Sequence, residues 1–153
     1  WSLVRGLSGG QVPRMETSVA KPTFEAMYKA ITSDMVRACH DLSEGGLAVA
    51  AAEMAFSGGL GVALDLSAVR LSGDVTVGGE CTVKLFSESN TRFLVEVPED
   101  KASEFEACFE GLTVSRIGSV TNDGVCKVVD GETTLIESEI TALKEAWQKP
   151  LRW

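Results

Sequence analysis

The sequence predicts a mixed α/β (α+β) sandwich on a split core, ordered strand, helix, strand, strand, helix, strand between residues 36 and 121. One further helix precedes that core, and a hairpin plus a last helix follow it. Three observations carry the prediction. Leu47–Phe56 is an alanine-rich apolar run with Glu53 as its only charge, the composition of a helix buried on nearly every face. Leu60, Val62, Leu64 and Leu66 alternate with Gly61, Ala63 and Asp65, the period of a strand with one covered face. Glycine pairs and Asp-Gly steps then cut the rest of the chain into runs of strand or helix length.

Residues 1–22 are punctuated by Gly6, Gly9, Gly10, Pro13 and Pro22, so they read as a linker running over the surface of the domain. Phe24, Met27, Tyr28, Ile31 and Met35 recur at helical spacing, with Thr23 as the N-cap. Val36–Asp41 is a mostly apolar run of strand length. The buried helix ends at Gly58-Gly59, and the alternating strand follows. Residues 67–82 are irregular, with Gly73 and Gly78-Gly79 as breakers, and are expected to be a mobile loop. After a short apolar stretch, Val83–Phe86, the alternation of Phe93, Val95 and Val97 marks the next strand.

Pro98, Glu99 and Asp100 open a helix with the acidic first turn its dipole favours, and Phe105, Cys108 and Phe109 give it an inner face. Thr113–Thr121 reads as a strand and Asn122-Asp123-Gly124 as a hairpin turn. Cys126–Val129, Asp130-Gly131 and Thr133–Ile136 continue a meander. Ile140, Leu143 and Trp147 line one side of a final helix that stops at Pro150, with Trp147 in the core. This βαββαβ order is that of ferredoxin-like folds. The expected division is a linker over 1–22, a folded domain over 23–149 and a tail over 150–153.

A chain of 153 residues suits one domain and can bury a core without a disulfide or metal staple. The net charge of −8 argues against a nucleic-acid partner, whose phosphates call for Lys and Arg. It leaves room for a phosphorylated metabolite held by backbone N–H groups. No apolar run approaches the ~20 residues that span a bilayer, and the start lacks a signal-peptide layout. Cysteines 39, 81, 108 and 126 stand alone and there is one histidine, so no metal site is expected. The thiols are read as reduced and the protein as cytoplasmic. Trp1-Ser2-Leu3-Val4-Arg5 lacks an initiator Met and reads as mid-chain sequence, so the chain is expected to be a piece of a larger protein.

Two polar clusters are candidates for chemistry. His40, Asp41, Ser43, Glu44, Gly45 and Gly46 lie between a strand and the buried helix. Helix N-terminal N–H groups lack partners there, and paired glycines admit a ligand to the backbone. Asp41 or Ser43 can cap the helix, and His40 can titrate near neutrality. The same residues also make an ordinary capped turn, with His40 a satisfied strand-end residue, and spacing alone leaves both readings open. Ser87, Glu88, Ser89, Asn90 and Arg92 form the second cluster at another strand entrance. They can orient an anionic ligand, or make a solvated turn with a weak Glu88–Arg92 pair. Cys39 and His40 do not form a nucleophile–base pair, because adjacent strand residues point to opposite faces.

From Ala38 to Leu66 the chain reads ACHDLSEGGLAVAAAEMAFSGGLGVALDL. It continues with Leu85-Phe86-Ser87-Glu88-Ser89-Asn90, Arg92-Phe93-Leu94-Val95, Ile117-Gly118-Ser119-Val120 and Glu145-Ala146-Trp147, after an approach Gly9-Gly10-Gln11-Val12-Pro13. Over nearly its whole length this resembles the last domain of the phosphoribosylformylglycinamidine synthase (PurL) family. That family is grouped with aminoimidazole ribonucleotide (AIR) synthetases, selenophosphate synthetases and hydrogenase-maturation proteins. The resemblance implies an AIR-synthase-related C-terminal fold, itself related to the ferredoxin-like one.

For the complete enzyme the resemblance implies an ATP-dependent C–N ligase of purine biosynthesis. Formylglycinamide ribonucleotide, ATP and glutamine-derived ammonia would give formylglycinamidine ribonucleotide, ADP and phosphate. ATP and Mg2+ are implied to bind mainly in the preceding domains, which carry the family's catalytic histidines and metal-binding carboxylates. This chain alone is expected to be inactive and without cofactor, His40 being its one catalytic candidate. Glu88-Ser89-Asn90 stands where a related domain of the family has a substrate-binding Glu-Ser-Gln, so both clusters are expected at a ligand or domain interface. The implied partners are the preceding PurL domains and, for the small multi-subunit form, a glutaminase subunit and a small accessory subunit. Trp147, Pro150, Leu151, Arg152 and Trp153 read as the end of that small form. Two other readings of the pattern are an ACT-like module binding a small regulatory molecule and the C-terminal domain of another superfamily member.

Overall fold

Two apolar faces of one short β-ribbon organise the molecule. The structure, a computed structural model, describes Gly6 and residues 12–71 and 79–151. Strand β1 (Ala38–Asp41) pairs antiparallel with β3 (Phe93–Glu96), His40 lying opposite Leu94 and Cys39 opposite Val95. Directly paired residues share a face. Leu94 therefore turns to one core, while Phe93 and Val95 turn to another.

The first core lies between helix α2 (Gly46–Gly58) and a four-stranded mixed sheet. That sheet runs β4 (Gly118–Thr121), β2 (Gly61–Asp65), β5 (Val125–Asp130) and β6 (Thr133–Glu139). Leu47, Ala50 and Ala51 of α2 meet Leu64, Cys126 and Val128 of the sheet, and all six are buried. Alanines on the helix allow the close approach to the sheet. Gly59, in the left-handed conformation, ends α2 by donating its N–H to the Ala55 carbonyl. Helix α3 (Glu80–Phe86) adds Leu85, and α5 (Ile140–Gln148) adds Ile140 and Leu143.

The second core is smaller. Helix α1 (Thr17–Thr32) contributes Ala26, Met27 and Ala30, and α4 (Ala102–Cys108) contributes Phe105, with Phe109 just beyond it. The rings of Phe105 and Phe109 lie 4.8 Å apart, and Phe24 meets Phe93 edge-on at 6.0 Å.

The mixed α+β class is as expected, with α1 before the core and a β5–β6 hairpin plus α5 after it, but a helix not foreseen, α3, lies between β2 and β3. The strands are distributed over two sheets, because β4 pairs with β2 while β1 pairs with β3. Several local readings need correction. Helix α1 begins at Thr17, inside the segment read as linker, and Pro22 lies in its second turn. Thr23 is therefore no cap, and its hydroxyl donates to the Val19 carbonyl.

Val83–Phe86 belongs to helix α3, whose seven residues are too few to display a period. A 3-10 turn over Glu99–Lys101 precedes α4, and regular strand is confined to the last four residues of Thr113–Thr121. Asn122-Asp123-Gly124 is a turn but not a hairpin, because β2 lies between β4 and β5. The turn wraps the start of β2 at Gly61, where a side chain would strike Asp123 and Thr121. Residues 72–78, the centre of the expected mobile loop, and Trp1, Gly9-Gly10-Gln11 and Arg152-Trp153 lie outside the described residues.

Candidate functional site

The two polar clusters, far apart in sequence, meet at the N-terminal end of α2. Gly45 and Gly46 both have positive φ, +89° and +64°, which turns the chain from β1 into the helix. The turn closes against the second cluster. A methyl on Gly46 would lie 2.8 Å from the Leu85 carbonyl oxygen and 2.9 Å from that of Ser87. The Gly45 N–H donates to Glu88 Oε1 at 2.9 Å. A carboxylate of the chain itself thus takes the position that a bound anion would take at this helix start, where the dipole favours negative charge.

Neither expected side-chain cap forms, since Gly45 occupies the cap position. Ser43 instead hydrogen-bonds the Asp41 carboxyl, which holds Asp41 below the usual carboxylate range. Its backbone carbonyl accepts from the Gly46 N–H at 3.1 Å. Glu44 is exposed.

In the second cluster Arg92 Nη1 donates to the Ser87 carbonyl at 3.2 Å and lies 3.3 Å from the Ser87 hydroxyl. Ser87 and Ser89 share a hydroxyl hydrogen bond of 2.8 Å. Glu88 and Arg92 therefore serve different partners and not each other. Burial lowers the Arg92 pKa from its ordinary value, although a guanidinium remains charged at neutral pH. Asn90 is exposed, and Thr91 takes a left-handed conformation with φ +63°. The ribbon ties the clusters together again, Leu42 donating its N–H to the Arg92 carbonyl at 3.1 Å.

His40 faces α2 and has both ring nitrogens engaged. Nδ1 lies 2.7 Å from the Asp41 carbonyl oxygen, and Nε2 lies 2.9 Å from Glu53 Oε2. The backbone carbonyl raises the His40 pKa most, burial opposes it, and the Glu53 carboxylate raises it further. No ring lone pair is left free to accept a substrate proton. Cys39 lies on the opposite face of the ribbon, and burial, followed by Asp41, pushes its thiol pKa up, away from a reactive thiolate.

Glu53 and Trp147 are the residues that sequence reasoning missed. Glu53 Oε1 accepts from the Trp147 indole N–H at 2.7 Å, and the Trp147 ring lies 5.8 Å from that of Phe56. Trp147 is not core, being 48% exposed. The available signal was Glu53 itself, the single charge in an otherwise apolar helix. Among the described residues, no three His, Cys, Asp or Glu side chains converge as metal ligands. All four cysteines are free, and no described helix is long and apolar enough to cross a membrane.

Residues 2–131 match the family described as AIR synthase related protein, C-terminal domain. The chain belongs to this family. Among curated relatives, a phosphoribosylformylglycinamidine synthase subunit PurL from Thermococcus kodakarensis is 37% identical over 92% of this chain and 18% of its own length. The subunit of the same name from Allorhizobium ampelinum is 34% identical over 93% of this chain and 18% of its own. The chain thus spans less than a fifth of the length of these relatives. Among solved structures, T. maritima PurL complexed with ATP superposes with a TM-score of 0.70 at 25% identity, over 80% of this chain and 21% of that one. The family match sets aside the reading as an ACT-like regulatory module.

Proposed function

We propose that this chain is the C-terminal, cleft-forming domain of a phosphoribosylformylglycinamidine synthase of the PurL type, and that it is inactive on its own. The observation that supports this most directly is identity of 34–37% to PurL subunits over more than nine-tenths of the chain. In the proposed parent enzyme ATP phosphorylates the amide oxygen of formylglycinamide ribonucleotide, and ammonia derived from glutamine displaces the phosphate. The new C–N bond gives formylglycinamidine ribonucleotide, ADP and phosphate, which makes the parent an ATP-dependent ligase.

The geometry supports a supporting role for this chain. Its helix start is occupied by Glu88 and the imidazole of its one histidine is saturated with acceptors. No described carboxylate group fits Mg2+, so no step is assigned to that ion here. ATP and Mg2+ are assigned to the other domains. The turn over 40–46 and the loop over 87–92 are assigned to the face toward the neighbouring domain, where they would shape the cleft. The stretch before α1 is assigned as the approach from that domain, and residues 150–153 as a tail. The relatives are named as subunits, which supports partner subunits for the parent enzyme; a glutaminase subunit and a small accessory subunit are assigned to that role. Free thiols throughout support a cytoplasmic setting.

The test compares the full-length protein, with its glutaminase and accessory subunits, against the 153-residue chain. ADP release and amidine formation are followed in both. Turnover is expected from the complete enzyme alone. Amidine formation by the isolated chain, or none by the complete enzyme, overturns the proposal.

A further inference from the structure

Three elements converge on Glu53, and each supplies a different kind of partner. The β1 residue His40 approaches Oε2 at 2.9 Å, and the α5 residue Trp147 donates to Oε1 at 2.7 Å. The carboxylate thus bridges the first strand of the ribbon and the last helix of the chain. On the far side of the imidazole stands the Asp41 carbonyl, which can only accept. With Glu53 ionised, both ring nitrogens face acceptors, and only the imidazolium satisfies both at once.

We propose that His40, Glu53 and Trp147 form a proton-dependent latch that holds α2 and α5 against β1, with Glu53 and Trp147 as positioning residues for His40. The latch belongs to this chain and stands whether or not the synthase reading holds. Loss of the His40 proton leaves a ring lone pair facing either the carbonyl or the carboxylate. A lone pair on Nε2 opens the contact to Glu53 and releases one end of its bridge, whereas one on Nδ1 opens the contact to the Asp41 carbonyl. In either case the charge that holds Glu53 to the ring is lost. The charged groups around the ring are few. Glu53 faces it from α2 and Asp41 Oδ1 lies 3.7 Å away on β1. On β3 Leu94 is opposite and Glu96 is one pair further along the same face. All three are acidic, and Glu53 and Asp41 favour the cation.

The sign follows from the raised His40 pKa. The stabilisation is fully present below the unfolded value of about 6.5 and is lost as pH rises through the higher folded value. Because the chain has a single histidine, its imidazole resonances are unambiguous in NMR. Proton–nitrogen spectra of the 153-residue chain are expected to show both ring nitrogens protonated at pH 6 and a midpoint above that of a free histidine. With Trp1 and Trp153 replaced by Phe, the emission of Trp147 should change with the same midpoint. Glu53→Gln should lower the midpoint and uncouple the emission from it. Should that variant fail to fold, His40→Gln keeps a donor toward Glu53 and should make Trp147 emission independent of pH between 5 and 9. A neutral imidazole at pH 6, or Trp147 emission that titrates unchanged in His40→Gln, overturns the latch.

Discussion

The two faces of the β1–β3 ribbon have unequal neighbours. Leu94 looks into a core that holds eleven buried residues among those described, from α2, the four-stranded sheet, α3, α5 and, with Leu42 and Leu66, the segments just after β1 and β2. Phe93 and Val95 look into one with five, all on α1, α4 or the residue just after α4. The outer side of the smaller core is also less finished, since Phe24, Tyr28 and Ile31 of α1 remain 46%, 72% and 48% exposed. The polar turn that carries the candidate site is built on the well-filled side. Its backbone is therefore held by packing from several elements, which a rigid wall of a cleft requires and a loosely attached helix does not.

The largest way to break this contrast is Gly46→Ala. A left-handed alanine costs roughly 1–2 kcal/mol by itself. The added methyl would also press on the carbonyl oxygens of Leu85 and Ser87, which are backbone atoms and cannot rotate away. Separation of the 40–46 turn from the 87–92 loop is expected, with loss of most of the domain's stability in urea melts. A variant that melts like the parent would mean that the turn is not braced by the second cluster.

Core truncations sharpen the same contrast. Leu47→Ala and Met27→Ala remove comparable side chains, and such changes cost about 2–5 kcal/mol. Leu47 is 1% exposed among rigid neighbours, so its cost should fall toward the upper end. Met27, at 6%, packs under a helix whose flank is open, and should fall toward the lower end. The reverse order in chemical denaturation would show that the ribbon is anchored mainly through α1.

What the sequence made legible followed from local pattern. The buried α2, its stop at Gly59 and the alternating β2 come from composition, glycine conformation and period, which act within a few residues. The acidic start of the 99–108 helix and the Asp130-Gly131 hairpin belong to the same class. Pro22 misled the reading of α1, since a proline is ordinarily a stop and here lies within a helix. The insertion of β2 between β4 and β5 had no local signature. Asn122-Asp123-Gly124 turns the chain correctly but cannot tell which strand it will flank. The site was legible as two clusters but not as one, because the Gly45–Glu88 bond spans 43 residues. Trp147 looked like core because a tryptophan at helical spacing ordinarily is. Its indole N–H found the lone carboxylate of α2 instead.

The smallest expected effect concerns that long-range bond and distinguishes a structural clasp from an idle surface carboxylate. Glu88 is exposed, so its bond to the Gly45 N–H is worth about 1 kcal/mol or less. Glu88→Ala should lower stability by no more than that. The sharper readout is local: hydrogen exchange at the Gly45 amide should accelerate in Glu88→Ala. It should return toward the parent rate in Glu88→Gln, whose amide oxygen can still accept. A carboxylate that merely complements the dipole of α2 predicts a different pattern, because Gln would then lose the effect as fully as Ala. Unchanged exchange in both variants would leave the turn held by Gly46 packing alone, and would confine the meeting of the two clusters to backbone contact.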